Sequence, residues 1–156
     1  MKKKYLYILL GVAILFAIVR AFAAPYHLSG DCMEPAFKDG QRYFLNQIAP
    51  YTRQYQLDDV ILFKHEGKVW ISRVVALETN TIQITDGSVV VNGVARSDGL
   101  VHRSWDNWRY GNYAIDNPLQ IPAGHVYVLS DNLSAHHDDS RVFGPIATES
   151  ILGTIW

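Results

Sequence analysis

Two short stretches of this chain hold the residue types that do chemistry. Cys32 is the one cysteine among 156 residues, so a disulfide within the chain and a thiolate-rich metal cluster are both excluded. It follows the turn-forming Ser29-Gly30-Asp31 and, on its own, reads either as a nucleophile or as an inert packed thiol. The second stretch is His136-His137-Asp138-Asp139, two imidazoles beside two carboxylates in a polar segment. Adjacent histidines in such a loop are ordinarily surface residues. Cys32, His136, His137 and Asp138 together have the donor types for a metal, but they come from distant segments without dedicated ligand spacing. Neither a metal nor a cofactor is expected.

The elements that must position these residues are bounded by composition. One domain, or little more, fits in 156 residues, and 49% hydrophobic with 19% charged content is that of a chain that folds. A net charge of −1 lacks the basic footprint of a nucleic-acid binder. Nucleic acid is therefore not an expected partner.

Lys2-Lys3-Lys4 precede an apolar run from Tyr5 to Val19, then Arg20 and Ala21-Phe22-Ala23-Ala24-Pro25. A basic start, an apolar stretch and Ala21-Phe22-Ala23 fit a cleavable secretory signal. The run to Ala24 is also near the length that spans a bilayer, with Arg20 able to reach the outer interface. A buried core helix is the third reading, and three lysines directly before fifteen uncharged residues oppose it. Either export reading leaves the lysines in the cytoplasm and the chain after Pro25 outside.

Beyond Pro25 the pattern is that of strands. Val60 to Phe63, Val69 to Leu77, Thr81 to Thr85, Val89 to Val91 and Val126 to Leu129 are β-branched or aromatic runs. Asp86-Gly87 and Asn92-Gly93 between them are hairpin signals. No later stretch keeps a helical period, so an all-β domain is expected. Ser97 to Asn117 differs, with Trp105, Trp108, Tyr110 and Tyr113 set among Asp, Asn, Gly and Arg. It reads as an inserted loop or small subdomain, packed as an aromatic mini-core or offering an interaction surface.

Four segments in order resemble the type I signal peptidase (leader peptidase) family. Ser29-Gly30-Asp31-Cys32-Met33-Glu34-Pro35 is similar to its nucleophile box, Ser-Met-x-Pro. Asp58-Asp59-Val60-Ile61 is similar to the Gly-Asp-Val-Val strand that follows. Ser72-Arg73-Val74-Val75-Ala76-Leu77 resembles the Lys-Arg-Val-x-Gly-Leu box. Ser130-Asp131-Asn132 with Asp139-Ser140-Arg141-Val142-Phe143-Gly144 resembles the Gly-Asp-Asn…Asp-Ser-Arg-x-x-Gly box. The resemblance spans essentially the whole chain, with the apolar segment directly before the first box. That placement favours an uncleaved anchor over residues 1–24, followed by an extracytoplasmic β domain over 25–156 with its insertion around 97–117.

The resemblance implies a coiled β-sheet body and a membrane-bound endopeptidase that removes signal peptides from exported preproteins. Its partners would be those signal peptides and the lipid bilayer. In the family a serine attacks the scissile carbonyl and a buried lysine takes its proton. Here the serine position is Cys32 and the lysine position is Ser72. Ser72 is no base near neutral pH, and Lys68 lies four residues back, about 13 Å along a strand. Lys64 and Lys68 read as solvated. The family's serine that supports the lysine maps onto His136 counted from Asn132 and onto His137 counted back from Asp139.

An imidazole beside a thiol is a competent dyad, so Cys32 is the expected nucleophile and His137 or His136 the expected base. Asp138 is the freer candidate to orient the ring, because Asp139 in the family pairs with the following arginine, here Arg141. Arg73 is expected to pair likewise with a carboxylate such as Asp131. The resemblance also assigns Tyr26 and Leu28 to shallow pockets for small side chains, Gly30 to the border of the oxyanion hole, and Met33 and Pro35 to the nucleophile turn. A second reading is a catalytically inactive relative serving export or surface-protein assembly, with an assembly partner. An exported metal- or redox-responsive thiol protein is a third, weaker one.

Overall fold

The computed structural model describes residues 2–96, 109–132 and 137–156. Helix α1, Lys2–Phe22, runs 21 residues, about 30 Å at 1.5 Å per residue and so close to a bilayer's hydrocarbon thickness. Its segment Lys3–Phe22 has a mean hydropathy of 2.3 and none of it is buried in the protein. The core-helix reading is thereby excluded. The helix is long and apolar enough to cross a membrane. Its end is tied to the body where Gln47 N–H donates to the Ala21 carbonyl, 3.0 Å.

The strands that follow are β1 (Ala24–His27), β2 (Arg42–Asn46), β3 (Val60–His65), β4 (Lys68–Ala76), β5 (Thr81–Thr85), β6 (Ser88–Val91), β7 (Val94–Ala95), β8 (Leu119–Gln120), β9 (His125–Leu129), β10 (Ile146–Ala147) and β11 (Ile151–Ile155). Two four-residue helices, α2 (Ala49–Thr52) and α3 (Ser140–Phe143), interrupt them. One sheet has the order β1-β2-β11-β3-β4-β9-β10 and the other β7-β6-β5-β8. The body is mostly β, as the runs of branched residues predict.

Each expected run is a strand, within a residue or two at its ends. Asp86-Gly87 (φ 48° and 69°) joins β5 to β6, and Asn92-Gly93 (φ 51° and 77°) joins β6 to β7. Positive φ at both central residues gives the twist that tight hairpins need. Strand β5 alternates half-buried and buried residues, whereas Val60 to Phe63 of β3 are all 3% exposed or less. A strand covered on both faces loses its alternation. One core cluster packs Val60, Leu62 and Ile71 under Leu28, Cys32 and Met33. The thiol thus sits at the edge of the core.

Strands β1, β2 and β11 carry weaker signals. In β11 the run is broken by Gly153, and a Cβ there would lie 2.5 Å from the Asn46 carbonyl of β2. Close backbone approach and a register shift between Ile151 and Gly153 account for the glycine.

Candidate active site

The nucleophile box forms the turn between β1 and β2. Gly30 takes φ 107°, a conformation that favours glycine, and its N–H donates to Asp39 Oδ1 at 2.8 Å. Leu28 N–H donates to the Gln41 carbonyl and Gly40 N–H returns to Leu28. Glu34 N–H to the Asp31 carbonyl and Phe37 N–H to that of Met33 close the rest of the turn. Cys32 is thereby held at a fixed corner, 8% exposed, with Asp31 outside it in solvent.

The C-terminal box docks on this corner. Asn132 N–H donates to the Cys32 carbonyl at 2.8 Å, and Asn132 Nδ2 to the Asp31 carbonyl at 3.1 Å. His137 Nε2 lies 3.1 Å from Asp31 Oδ1. Behind Asn132, Arg73 holds Asp131 through two bonds, Nε to Oδ1 at 2.7 Å and Nη2 to Oδ2 at 2.6 Å. Arg141 likewise grips Asp139 by two bonds of 2.8 Å, with both residues fully buried. Both arginines therefore act in the architecture. Fork-to-fork pairing fixes orientation as well as charge, so Arg73 sets the C-terminal box against β4 and Arg141 sets the conformation within that box.

The residues singled out by sequence fall into three groups. Cys32, Asn132 and His137 come together around the turn, with Ser72 on strand β4, next to Ile71 of the core cluster beneath Cys32. Ser72 is buried and its hydroxyl donates to the Ile71 carbonyl at 2.7 Å. Lys64 and Lys68 are exposed, as expected. Asp138 is turned elsewhere, accepting from the Tyr110 hydroxyl at 2.6 Å. His136, Trp105 and Trp108 lie outside the described residues, as does most of the 97–117 insertion. Among the substrate-side residues, Tyr26 is half-buried against the Cys32 cluster and Pro35 is exposed. Leu28 and Met33, 1% and 0% exposed, are core side chains beneath the thiol.

Sequence reasoning missed Asp31 as the partner of His137. Its adjacency to Cys32 was the one available signal, since 106 residues separate the pair. Among the described residues the Cys32 thiol makes no hydrogen bond to His137.

The charges around the turn oppose a free thiolate. Burial pushes the Cys32 thiol up to about 11; its own backbone N–H pulls it down, the Asp31 and Asp131 carboxylates push it up, and the Met33 N–H pulls it down. Asp31 is held below the usual carboxylate range, chiefly by its hydrogen bond with His137. Tyr26 is raised by burial and then by the nearby Cys32 charge. The thiol, its pKa raised chiefly by burial, sits one residue from a carboxylate–imidazole pair.

In this mostly β body the Cys32 turn meets a C-terminal segment that contains two buried arginine–carboxylate pairs. The chain belongs to the signal peptidase family, peptidase S26, whose family model matches residues 1–156. It is 28% identical over 165 residues to Signal peptidase I V of Bacillus subtilis (strain 168), covering 99% of this chain and 98% of that one. Signal peptidase IB of Staphylococcus aureus (strain N315) is 27% identical over 172 residues, 99% of this chain and 89% of the relative. A solved signal peptidase I from Enterococcus faecalis V583 superposes with a TM-score of 0.53 at 26% identity, over 65% of this chain and 97% of that one. The family is one of peptidases, and its mostly β body with an apolar N-terminal helix is the fold found here.

Proposed function

We propose that this protein is a membrane-anchored endopeptidase that cleaves signal peptides from exported preproteins, with Cys32 as nucleophile and His137 as general base. Helix α1 would cross the membrane once, with Lys2 to Lys4 in the cytoplasm and the β body outside. The observation that carries the reading is the docking of Asn132 and His137 on the Asp31–Cys32 corner. In the attack the sulfur bonds to the scissile carbonyl carbon as its proton passes to the imidazole. The imidazolium then gives that proton to the leaving amine, and water releases the acyl group from sulfur. The backbone N–H of Cys32 is the candidate donor to the oxyanion.

A second reading, an inactive relative that serves export or surface-protein assembly, draws support from the thiol itself. It is buried, held up at about 11, and without a hydrogen bond to His137. Both readings meet one test. The full chain in detergent is incubated with a preprotein bearing small residues at P1 and P3, as wild type, Cys32→Ala and His137→Ala. Cleavage by wild type that both substitutions and thiol alkylation abolish establishes the peptidase. Absence of cleavage in every form leaves the assembly role.

A further inference from the structure

Asp138 stands next to His137 in sequence, but its carboxylate is bonded to Tyr110. The carboxylate that His137 meets is Asp31, immediately before Cys32 in the chain. An ionised carboxylate only accepts hydrogen bonds, so the nitrogen facing it carries the proton. In a neutral imidazole with Nε2–H on Asp31, the lone pair is on Nδ1. The backbone carbonyl of the same Asp31 accepts from Asn132 Nδ2, so one residue beside the thiol bonds to both Asn132 and His137.

We propose that Asp31 is the positioning residue of the site: it fixes His137 as the Nε2–H form and leaves Nδ1 to take the thiol proton. The inference rests on the Cys32–His137 reading and deepens it. In the step itself the S–H bond breaks, a bond to Nδ1 forms, and Nε2–H stays on Asp31. The sulfur keeps the electron pair, and the imidazolium is stabilised by the carboxylate beside it.

Asp31 has a second, opposed effect, because its charge beside Cys32 disfavours the thiolate. The two effects separate in a cycle of variants of the full chain in detergent. Alkylation of Cys32 by iodoacetamide at neutral pH is followed in wild type, Asp31→Ala, His137→Ala and the double variant. With His137 present, Asp31→Ala slows alkylation roughly three- to tenfold, the range for losing a charged hydrogen bond that is partly solvated. With His137 replaced by alanine, Asp31→Ala speeds it instead, since only the unfavourable charge is removed. Asp31→Asn, whose amide can donate as well as accept and so no longer dictates the Nε2–H form, slows alkylation as alanine does, whereas Asp31→Glu, which keeps a carboxylate, recovers part of the wild-type rate. Thermal melting of each variant checks the fold. An equal effect of Asp31→Ala in both backgrounds, or a wild-type rate in Asp31→Asn, overturns the proposal. Alkylation does not require turnover: a reversal of sign without preprotein cleavage supports the positioning while removing the peptidase reading.

Discussion

Arg73 and Asp131, 58 residues apart, close a two-bonded ion pair beneath the active-site corner. Their side chains are only 10% and 3% exposed, and Arg73 Nη1 also donates to the Asp58 carbonyl at 2.8 Å. The pair ties β4, the strand of Ser72, to the segment whose next residue, Asn132, holds Cys32. Asp131→Ala leaves a buried guanidinium without its carboxylate, which costs about 3–5 kcal/mol. Denaturant unfolding of the full chain in micelles, followed by tryptophan fluorescence, should show the loss as a lower midpoint. An unchanged midpoint would mean that the guanidinium finds water instead.

Gly111 makes a comparable demand on the other arginine. A Cβ at Gly111, where φ is 102°, would lie 2.1 Å from the Arg141 carbonyl oxygen. The same oxygen accepts from the N–H groups of Asn112 and Tyr113. Gly111→Ala must push this segment off α3, with a cost of roughly 2 kcal/mol or more from backbone strain and lost bonds. A thermal-melt comparison with Asn112→Ala, which keeps the backbone bonds, isolates the effect; equal melting temperatures would contradict it.

The thiol titration has a defined sign. A pKa raised from 9.0 to about 11 means Cys32 is protonated at neutral pH and ionises only in strong alkali. In His137→Ala, alkylation should climb with pH through a midpoint near pH 11. Because the folded-state value is raised, the stability contributed by the buried neutral thiol is complete below pH 9 and is lost as pH rises through about 11. Wild type alkylated at neutral pH faster than this curve allows shows assistance by the base. Overlapping curves for the two proteins would show that His137 gives none.

Asp138 and Asp31 should differ in consequence. Asp138 accepts from Tyr110, and this bond is the first cause of the raised Tyr110 pKa. Asp138→Ala and Tyr110→Phe are expected to leave preprotein cleavage within about twofold of wild type, as for a part-buried hydrogen bond outside the proposed dyad. Asp31→Ala should lower kcat by more than that, with KM little changed, because it acts through the base. A larger effect from Asp138→Ala than from Asp31→Ala would restore Asp138 as the orienting carboxylate.

Local features are legible in neighbouring residues. Branched runs with two Asp-Gly and Asn-Gly turns set out β3 to β6, β9 and their hairpins, because a tight turn and a half-buried face are written in neighbouring residues. The apolar helix was legible for the same reason. Motif order was enough to bring Cys32, Ser72 and the histidine loop to one site in expectation. Strand β2 was not legible: it buries only Leu45 fully and lies between β1 and β11, so its place depends on distant partners. The need for glycine at 153 is likewise set in space, by the Asn46 carbonyl that lies against it. His137 met Asp31 rather than its neighbour Asp138, since a hydrogen bond depends on distance in space and takes no account of separation along the chain. Cys32 as a lone thiol was fixed by sequence; its burial, its proton and its neighbours were decided by the tertiary structure.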